Sequence, residues 1–293
     1  DYKLYLMPPP SSGGVVMSAI FKLIEMQDLK KYQPFSAHES HLLAEIFHRS
    51  FRLRTQLGDP DFAKNPIGDL LSPANILALN KTINPDKKIQ LQSLQDSPAK
   101  ESNDTTNFSI INSNGDAVAM TITLNGPFGS GVVTPKFGIV LNNEMDDFTT
   151  RPNEPNIYGL IQGKANNVEP GKRPLSSMSP TIVEKNGETV LVLGAQGGPR
   201  IISSVAQVIY RALVNNYDLD QALHLPRLHA QFQPPVVFFD KGKWSPEIFE
   251  LLKEKGHQSE EGWMGRVYAV QKGNKNILYG AADDRAEGYA SGF

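Results

Sequence analysis

The sequence has 293 residues, with 29 lysines and arginines against 31 aspartates and glutamates, which gives a formal net charge of −2. This near balance argues against nucleic acid or an anionic membrane surface as the main partner, since both usually require a basic excess. The sequence contains no cysteine, which excludes disulfides, thiolate nucleophiles and cysteine-based metal sites. Hydrophobic residues make up 40% of the chain, and no apolar run approaches the roughly 18 residues that span a bilayer, so we expect one or two globular domains and no membrane span.

The first sixty residues predict a strand followed by two helices. The strand covers residues 1–8, and the Pro-Ser-Gly turn at 8–14 ends with residues that favour a helix start. Apolar residues then recur at helical spacing in 15–29 and again in 36–57. The sequence does not start with Met and shows no signal peptide, so we expect it to begin within a longer protein.

Residues 58–103 are polar and rich in Asp, Pro, Lys and Ser. A short helix is predicted at 73–79. Residues 81–103 have no strong periodicity, so they are interpreted as a surface linker.

Beyond residue 104 the pattern changes to strands and hairpins. The Asn-Gly pairs at 114–115 and 186–187 each lie between two runs of strand-forming residues, which is a strong hairpin signal. The predicted strands of these hairpins are 107–111, 117–124, 179–184 and 189–194. The other predicted elements are helices at 200–215, 219–224 and 246–255, a strand at 236–239 and a final hairpin at 265–271 and 276–279.

A metal site is not expected. His38 and His41 are three residues apart, whereas the zinc-protease helix needs two histidines four residues apart. The other histidines are scattered along the chain.

A set of short segments in a fixed order is similar to the γ-glutamyltransferase (glutathione hydrolase) family of N-terminal-nucleophile hydrolases. The segment KRPLSSMSPTIV at 172–183 is by itself a highly specific signal. The resemblance covers essentially the whole chain. The other matching segments are PPPSSGG at 8–14, DTTNFS at 104–109, TITLN at 121–125, FGSG at 128–131, LNNEMDDF at 141–148 and GAQGGPRII at 194–202.

The resemblance implies an α+β fold, the four-layer αββα sandwich of these hydrolases. It implies a precursor that cuts itself between Asp104 and Thr105. Residues 1–104 would then be the C-terminal part of a large subunit and residues 105–293 the small catalytic subunit, together forming one structural domain and a heterodimer. The resemblance also implies a periplasmic or extracellular protein, with no cofactor and no metal.

The matched nucleophile is Thr105. After cleavage its free α-amino group, with an ordinary pKa of about 7.7–8.0, could take the hydroxyl proton and act as the base. Thr123 matches the threonine that orients the nucleophile. Gly197 and Gly198 match the oxyanion hole, where glycines before a helix start let backbone N–H groups approach developing negative charge.

The substrate's α-ammonium group is expected to bind two carboxylates and an amide. Such a set suits three N–H donors and one positive charge. By resemblance these residues are Asn125, Glu144 and Asp147.

The α-carboxylate of the substrate is expected to bind Ser176 and Ser177. The arginine that the family also uses there would lie upstream of this sequence. Between the two binding sets, residues 149–173 form a long loop rich in Pro, Asn and Gly, as functional lids often are. Tyr158 in this loop matches an aromatic gate.

The reaction implied is transfer of a γ-glutamyl group from glutathione or related compounds to water, an amino acid or a peptide. Two alternatives remain open at this stage. One is a β-lactam (glutaryl-type) acylase of the same fold, whose substrates lack the α-amino group and so have less need of Asp147. The other is an inactive, truncated or processing-defective product.

Overall fold

The computed structural model describes residues 1–91, 105–151 and 154–292. Within these ranges the helices are α1 (Gly13–Met26), α2 (Ala37–Arg52), α3 (Ile67–Leu70), α4 (Pro73–Lys81), α5 (Arg200–Ile209), α6 (Leu219–His224) and α7 (Pro246–Glu254). The strands are β1 (Tyr2–Tyr5), β2 (Thr105–Ile111), β3 (Ala117–Thr123), β4 (Thr181–Lys185), β5 (Glu188–Gln196), β6 (Leu228–Ala230), β7 (Val236–Asp240), β8 (Gln258–Gly262), β9 (Arg266–Lys272) and β10 (Leu278–Ala282).

The first two long helices form where apolar residues recur every three or four positions, and both bury that face in the main core. At the start of α2 the Ser36 side chain accepts the backbone N–H of Glu39 at 3.2 Å, and the Glu39 carboxylate accepts that of Phe35 at 2.6 Å. This variant of the capping box satisfies N–H groups that have no partner inside the helix, and so fixes where α2 begins.

The central sheet has five antiparallel strands in the order β1-β4-β5-β9-β10. Helix α5 packs on β5 and β9, and α1 packs on α2 and α5. Strand β5 is buried over its whole second half, because helices cover one face and a hairpin covers the other.

That hairpin is the two-stranded sheet of β2 and β3, which stacks against β5 and β9. The approach is close at Gly194, where an added Cβ atom would lie 2.2 Å from the Asn107 side chain. Most outward side chains of the hairpin are apolar yet 38–51% exposed; they are Phe108, Ile110, Val118, Met120 and Ile122. The described residues thus form helices, a five-stranded sheet and a second sheet stacked on it, and the predicted α+β class is confirmed.

A third sheet, β6-β7-β8, combines an antiparallel pair with a parallel pair. Strand β6 packs on α2, and α7 packs on α2 and β8. The connection after β6 carries Gln231, which contacts the site described below.

Most predicted elements are present, with different ends. The predicted helix 36–57 finishes as a 3-10 turn at Leu53–Gln56, and the helix 200–215 finishes as a π-helical turn at Tyr210–Val214. Strands β6 and β8 and the short α3 were not predicted. Residues 92–103 of the predicted linker lie outside the described residues, while Thr82 and Ile89 before them bond to α2. Among the described residues, no helix has both the length and the apolar character needed to cross a membrane.

Candidate active site

Thr105 is the first residue of β2, and its buried side chain is only 8% exposed. The ladder between β2 and β3 places Thr123 directly opposite it. The Thr105 hydroxyl donates to the Thr123 hydroxyl oxygen at 3.0 Å, and that oxygen also accepts the Asn125 backbone N–H at 2.9 Å. The predicted nucleophile and its predicted orienting threonine therefore touch. Asp104, on the other side of the predicted cleavage point, lies outside the described residues.

Gln196 holds the backbone of Thr105. With its amide oriented to suit its neighbours, the Gln196 nitrogen donates to the Thr105 carbonyl oxygen, and its oxygen accepts from Arg266 Nη1 at 2.8 Å. The resemblance assigned Gln196 no role. Its place at the end of β5, immediately before the glycine pair, is the signal that could have identified it.

Gly197 and Gly198 form the turn between β5 and α5, with φ angles of 134° and 55° that favour glycine. An added Cβ atom would lie 2.8 Å from the Trp263 ring at Gly197 and 2.7 Å from the Tyr158 ring at Gly198. Among the described residues, neither glycine N–H has a hydrogen-bond acceptor. Since the turn opens α5, these donors lie where a helix favours negative charge.

A small cavity brings most of the predicted site residues together. Glu144 and Gly197 are predicted site residues that do not line it. Its lining residues are Thr105, Thr123, Asn125, Asp147, Tyr158, Ser176, Ser177, Met178, Gly198 and Ile201.

Asp147 ends the 3-10 turn Glu144–Asp147 and is almost fully buried. Burial raises the pKa of Asp147 to about 7, against the opposing effect of the Arg54 charge. Its Oδ1 accepts from Asn156 Nδ2 at 3.0 Å. Burial also raises the pKa of Glu144, which hydrogen-bonds to Asp147 from the same turn. Glu144 therefore supports Asp147 here and does not line the cavity.

Arg54 is a site residue that the sequence analysis missed. It is fully buried, and its Nη1 donates to the Ser177 hydroxyl oxygen at 2.8 Å and the Ser176 carbonyl oxygen at 2.9 Å. Nη1 also donates to the Ser12 hydroxyl, and Nη2 donates to the Leu175 carbonyl oxygen at 2.8 Å. Burial lowers the pKa of Arg54 to about 10, so the group stays charged at neutral pH.

Hydrogen bonds with neighbouring backbone groups hold the serine pair, Ser176 and Ser177, in place. The Ser176 N–H donates to the Pro10 carbonyl oxygen at 2.8 Å, and the Ser176 hydroxyl oxygen accepts the Met178 N–H at 3.0 Å. Because Arg54 donates to the Ser177 oxygen, the Ser177 hydroxyl hydrogen is left to bond another acceptor. An anion in the cavity could supply that acceptor.

Tyr158 lies in the cavity wall, with 5% of its side chain exposed. Its hydroxyl donates to the Asn125 carbonyl oxygen at 2.7 Å, and its own carbonyl oxygen accepts from Gln231 at 2.9 Å. Residues 158–162 of the predicted lid loop are all buried, while 152 and 153 lie outside the described residues. This stretch of the loop is packed into the protein, and Tyr158 in it reaches the cavity.

Among the described residues, no group of three or more His, Asp or Glu side chains could hold a metal ion. His41 is buried, and its ring nitrogens bond to the Asn84 carbonyl oxygen and to His257, each at 2.7 Å. The acceptors and donors in the site suit an organic substrate with one ammonium and one carboxylate group.

Two curated relatives are similar to this chain over almost all of its length. The glutathione hydrolase proenzyme of Escherichia coli (strain K12) is 42% identical over 291 residues, which are 97% of this chain and 50% of the relative. The glutathione hydrolase proenzyme of Pseudomonas sp. (strain A14) is 38% identical over 309 residues, covering 100% of this chain and 54% of the relative. The chain spans about half the length of these relatives.

This chain is also similar to solved structures. The γ-glutamyltranspeptidase from Pseudomonas nitroreducens complexed with L-DON is 39% identical with a TM-score of 0.62, and the match covers 64% of this chain and 99% of that chain. The cephalosporin acylase from Bacillus halodurans shares the fold, with a TM-score of 0.77 at 20% identity over 98% of this chain and 52% of that chain. The family profile described as gamma-glutamyltranspeptidase matches residues 1–293, and the chain therefore belongs to the γ-glutamyltranspeptidase family.

Proposed function

We propose that the protein containing this chain is a γ-glutamyltransferase and glutathione hydrolase that works through a threonine ester. The observation that carries the proposal is the paired hydroxyls of Thr105 and Thr123, which border a cavity that also contains Asp147, Ser177 and Gly198. A nucleophile, a cation partner, an anion partner and N–H donors thus surround one small space. Family membership supports the same chemistry.

The acyl transfer starts with attack of the Thr105 hydroxyl oxygen on the carbonyl carbon of the γ-glutamyl amide. The hydroxyl proton passes to the free α-amine of the cleaved Thr105, which is the base in this arrangement. The N–H groups of Gly197 and Gly198 stabilise the negative oxygen of the tetrahedral intermediate. The leaving amine takes the proton, and water or an acceptor amine then breaks the ester.

Cleavage between Asp104 and Thr105 would release that α-amine and divide the chain into the two predicted subunits. Residues 105–293 number 293 − 104 = 189, or 65% of the chain. The match to the P. nitroreducens chain covers 64% of this chain and nearly all of that one, which is the length expected of a separate small subunit. The relatives are also named proenzymes. Both facts support processing at this point.

The two ends of the substrate have separate partners in this proposal. Asp147, backed by Glu144, and Asn125 would hold the α-ammonium group, and the two serines would hold the α-carboxylate. Arg54 does not line the cavity, and both of its terminal nitrogens already donate to protein oxygens. This supports the expectation that an upstream arginine completes the carboxylate site.

A glutaryl acylase would have little use for the buried carboxylate of Asp147, since glutaryl groups carry no ammonium. Keeping a charged carboxylate in this buried position costs stability even though Asn156 donates to it, as the raised pKa of Asp147 indicates. A substrate ammonium would offset that cost. The geometry therefore favours the γ-glutamyl substrate over the glutaryl one.

The proposal is tested on purified full-length protein. Mass spectrometry should find a fragment that begins at Thr105, and the same preparation should hydrolyse γ-glutamyl-p-nitroanilide. An uncut and inactive protein would favour the processing-defective alternative, and a cut protein that prefers glutaryl substrates would favour the acylase. Cell fractionation would test the periplasmic or extracellular location that the resemblance implies.

A further inference from the structure

A second groove meets the glutamyl cavity at the nucleophile. The two spaces share Thr105 and Thr123 and differ in every other lining residue. The groove is lined by Thr105, Thr106, Ile122, Thr123, Leu124, Phe128, Val140, Gln196 and Arg266. It is therefore a separate space that gives access to the same hydroxyl.

Arg266 is the one charged side chain among the described residues that line this groove. Its Nη1 donates to the Gln196 amide oxygen at 2.8 Å, and its guanidinium lies 5.2 Å from the centre of the Trp263 ring. Its Nε is buried and, among the described residues, bonds to no acceptor. The guanidinium is thus held in place, and because the side chain is only half-buried, Nη2, which bonds to no described residue, is the donor left for a ligand.

Gln196 connects this arginine to the reaction centre, because its amide nitrogen donates to the carbonyl oxygen of Thr105. The same arginine also lines an adjoining pocket with Tyr268 and Glu287. A ligand that reaches Arg266 from the nucleophile would pass along β2 and remain within these two spaces. The planar guanidinium suits a carboxylate, which it can bind through two N–H groups.

Acyl transfer needs two binding spaces next to the nucleophile. The acyl group stays in one space. The leaving amine departs through the other space, and the acceptor amine enters through it. If the glutamyl group fills the cavity with Asp147, the groove with Arg266 is the space for the leaving and accepting amines. Dipeptide leaving groups and amino acid or peptide acceptors all end in a carboxylate.

We propose that Arg266 binds the carboxylate of the leaving peptide and of the acceptor, and so determines which amines the enzyme uses. This inference rests on the proposed function. It assigns to the groove a ligand class, α-amino acids and short peptides with a free carboxylate. The contact is made by a guanidinium that Gln196 and Trp263 hold in place.

The test compares donors and acceptors with and without this carboxylate, using the processed full-length enzyme. Glutathione has a leaving group with a carboxylate, and γ-glutamyl-p-nitroanilide has one without. Arg266→Gln should raise KM for glutathione about tenfold more than it raises KM for the anilide, as expected when a charge-assisted bond to the leaving group is lost. Arg266→Lys should recover part of the loss. Lys272→Gln is the matched control, since it removes a charge from the same strand at a residue paired with surface Glu188.

A second comparison needs no variant. The wild-type enzyme should use glycylglycine as acceptor at lower concentration than glycylglycine amide, and Arg266→Gln should lose that preference. Equal losses on both donors in the variant, or equal use of the two acceptors by the wild type, would overturn the proposal. A wild-type enzyme inactive with every γ-glutamyl donor would overturn the proposed function, and this inference with it.

Discussion

Thr105 and Thr123 face each other across the β2–β3 ladder, and their hydroxyl oxygens are 3.0 Å apart. The pair depends on strand register, because a shift of one residue would turn one hydroxyl to the opposite face of the hairpin. The Thr105 carbonyl is held separately by Gln196. In the proposed function the same hydroxyl serves both self-cleavage and the later reaction with substrate.

Removing the Thr105 hydroxyl should abolish self-cleavage without preventing the chain from folding. We expect Thr105→Ala to fold, stay uncut and be inactive, since it lacks the hydroxyl that attacks the preceding carbonyl. Thr105→Ser keeps a hydroxyl and should still cut, at a lower rate because a smaller side chain is less well fixed. Gel electrophoresis and mass spectrometry measure the cut. An alanine variant that is cut at this bond would show that another residue is the nucleophile.

Asp147 should make substrate binding depend on pH. Burial raises its pKa from 3.8 to about 7, so the folded state binds this proton more tightly than the unfolded state does. The contribution of Asp147 to stability is therefore largest below about pH 4 and falls as pH rises towards 7. A substrate ammonium favours the carboxylate, so the inhibition constant of L-glutamate should decrease as pH rises through about 7.

Asp147→Asn keeps the shape of the side chain and removes its charge. The pH dependence of L-glutamate inhibition near 7 should disappear. Loss of a charge-assisted bond of about 1.5–3 kcal/mol should lower kcat/KM for γ-glutamyl substrates about tenfold to a hundredfold. Glutaryl analogues, which lack the ammonium group, serve as the control. If both substrates lose equally, Asp147 has only a structural role.

Arg54 should be important for stability as well as for the site. Arg54→Met keeps much of the volume but leaves the Leu175 and Ser176 carbonyl oxygens without this donor and Asp147 without the nearby positive charge. Breaking such a buried arrangement costs about 3–5 kcal/mol. The denaturation midpoint should fall, and the pKa of Asp147 should rise further because Arg54 lowers it. Arg151→Met is the control, since that exposed arginine pairs only weakly with Glu154.

Arg54 also shows where sequence analysis stops. Its contacts with the serine pair are more than 120 residues away along the chain, and no local pattern distinguishes it from the neighbouring Arg52. Glycine pairs, Asn-Gly turns and the ordered segments could be identified because each is a local signal. The hairpin that carries Thr105 was predicted for the same reason.

Strands β6 and β8 were missed for a related physical reason. Leu228–Ala230 has only three residues, and Gln258–Gly262 has no apolar alternation because it lies at the edge of its sheet. Both depend on pairing with β7, which is a buried apolar strand that was predicted. The helix ends were also displaced, because the last turns of 36–57 and 200–215 adopt 3-10 and π geometry that periodicity does not reveal.

Gly198 should tolerate no side chain. Gly198→Ala would place a methyl group 2.7 Å from the Tyr158 ring and force φ of 55° on a residue that disfavours it. We expect a fall in kcat of about a hundredfold or more, the size seen when an oxyanion donor is lost. Gly187→Ala has φ of 82° but open space around it, so it is the matched control for strain alone. Equal kcat in the two variants would argue against an oxyanion role for the glycine pair.

Tyr158 is the residue of the loop 149–173 that lines the cavity, among the residues that the structure describes. Its hydroxyl bonds to the Asn125 carbonyl and its ring lies against Gly198, so it closes the cavity beside two predicted binding groups. Tyr158→Ala should leave self-cleavage intact, because that step needs only the surroundings of Thr105. It should raise KM for γ-glutamyl donors, or shift the balance between water and amine as acceptor, since bulk water would enter the opened cavity.

Tyr158→Phe keeps the ring and removes the hydroxyl. It therefore distinguishes the effect of the ring, which covers the cavity, from the effect of the hydroxyl, which bonds to the Asn125 carbonyl oxygen. Steady-state assays with and without an acceptor dipeptide measure both effects. If KM and the hydrolysis-to-transfer ratio are unchanged in the alanine variant, Tyr158 only packs the loop against the protein and does not gate the site.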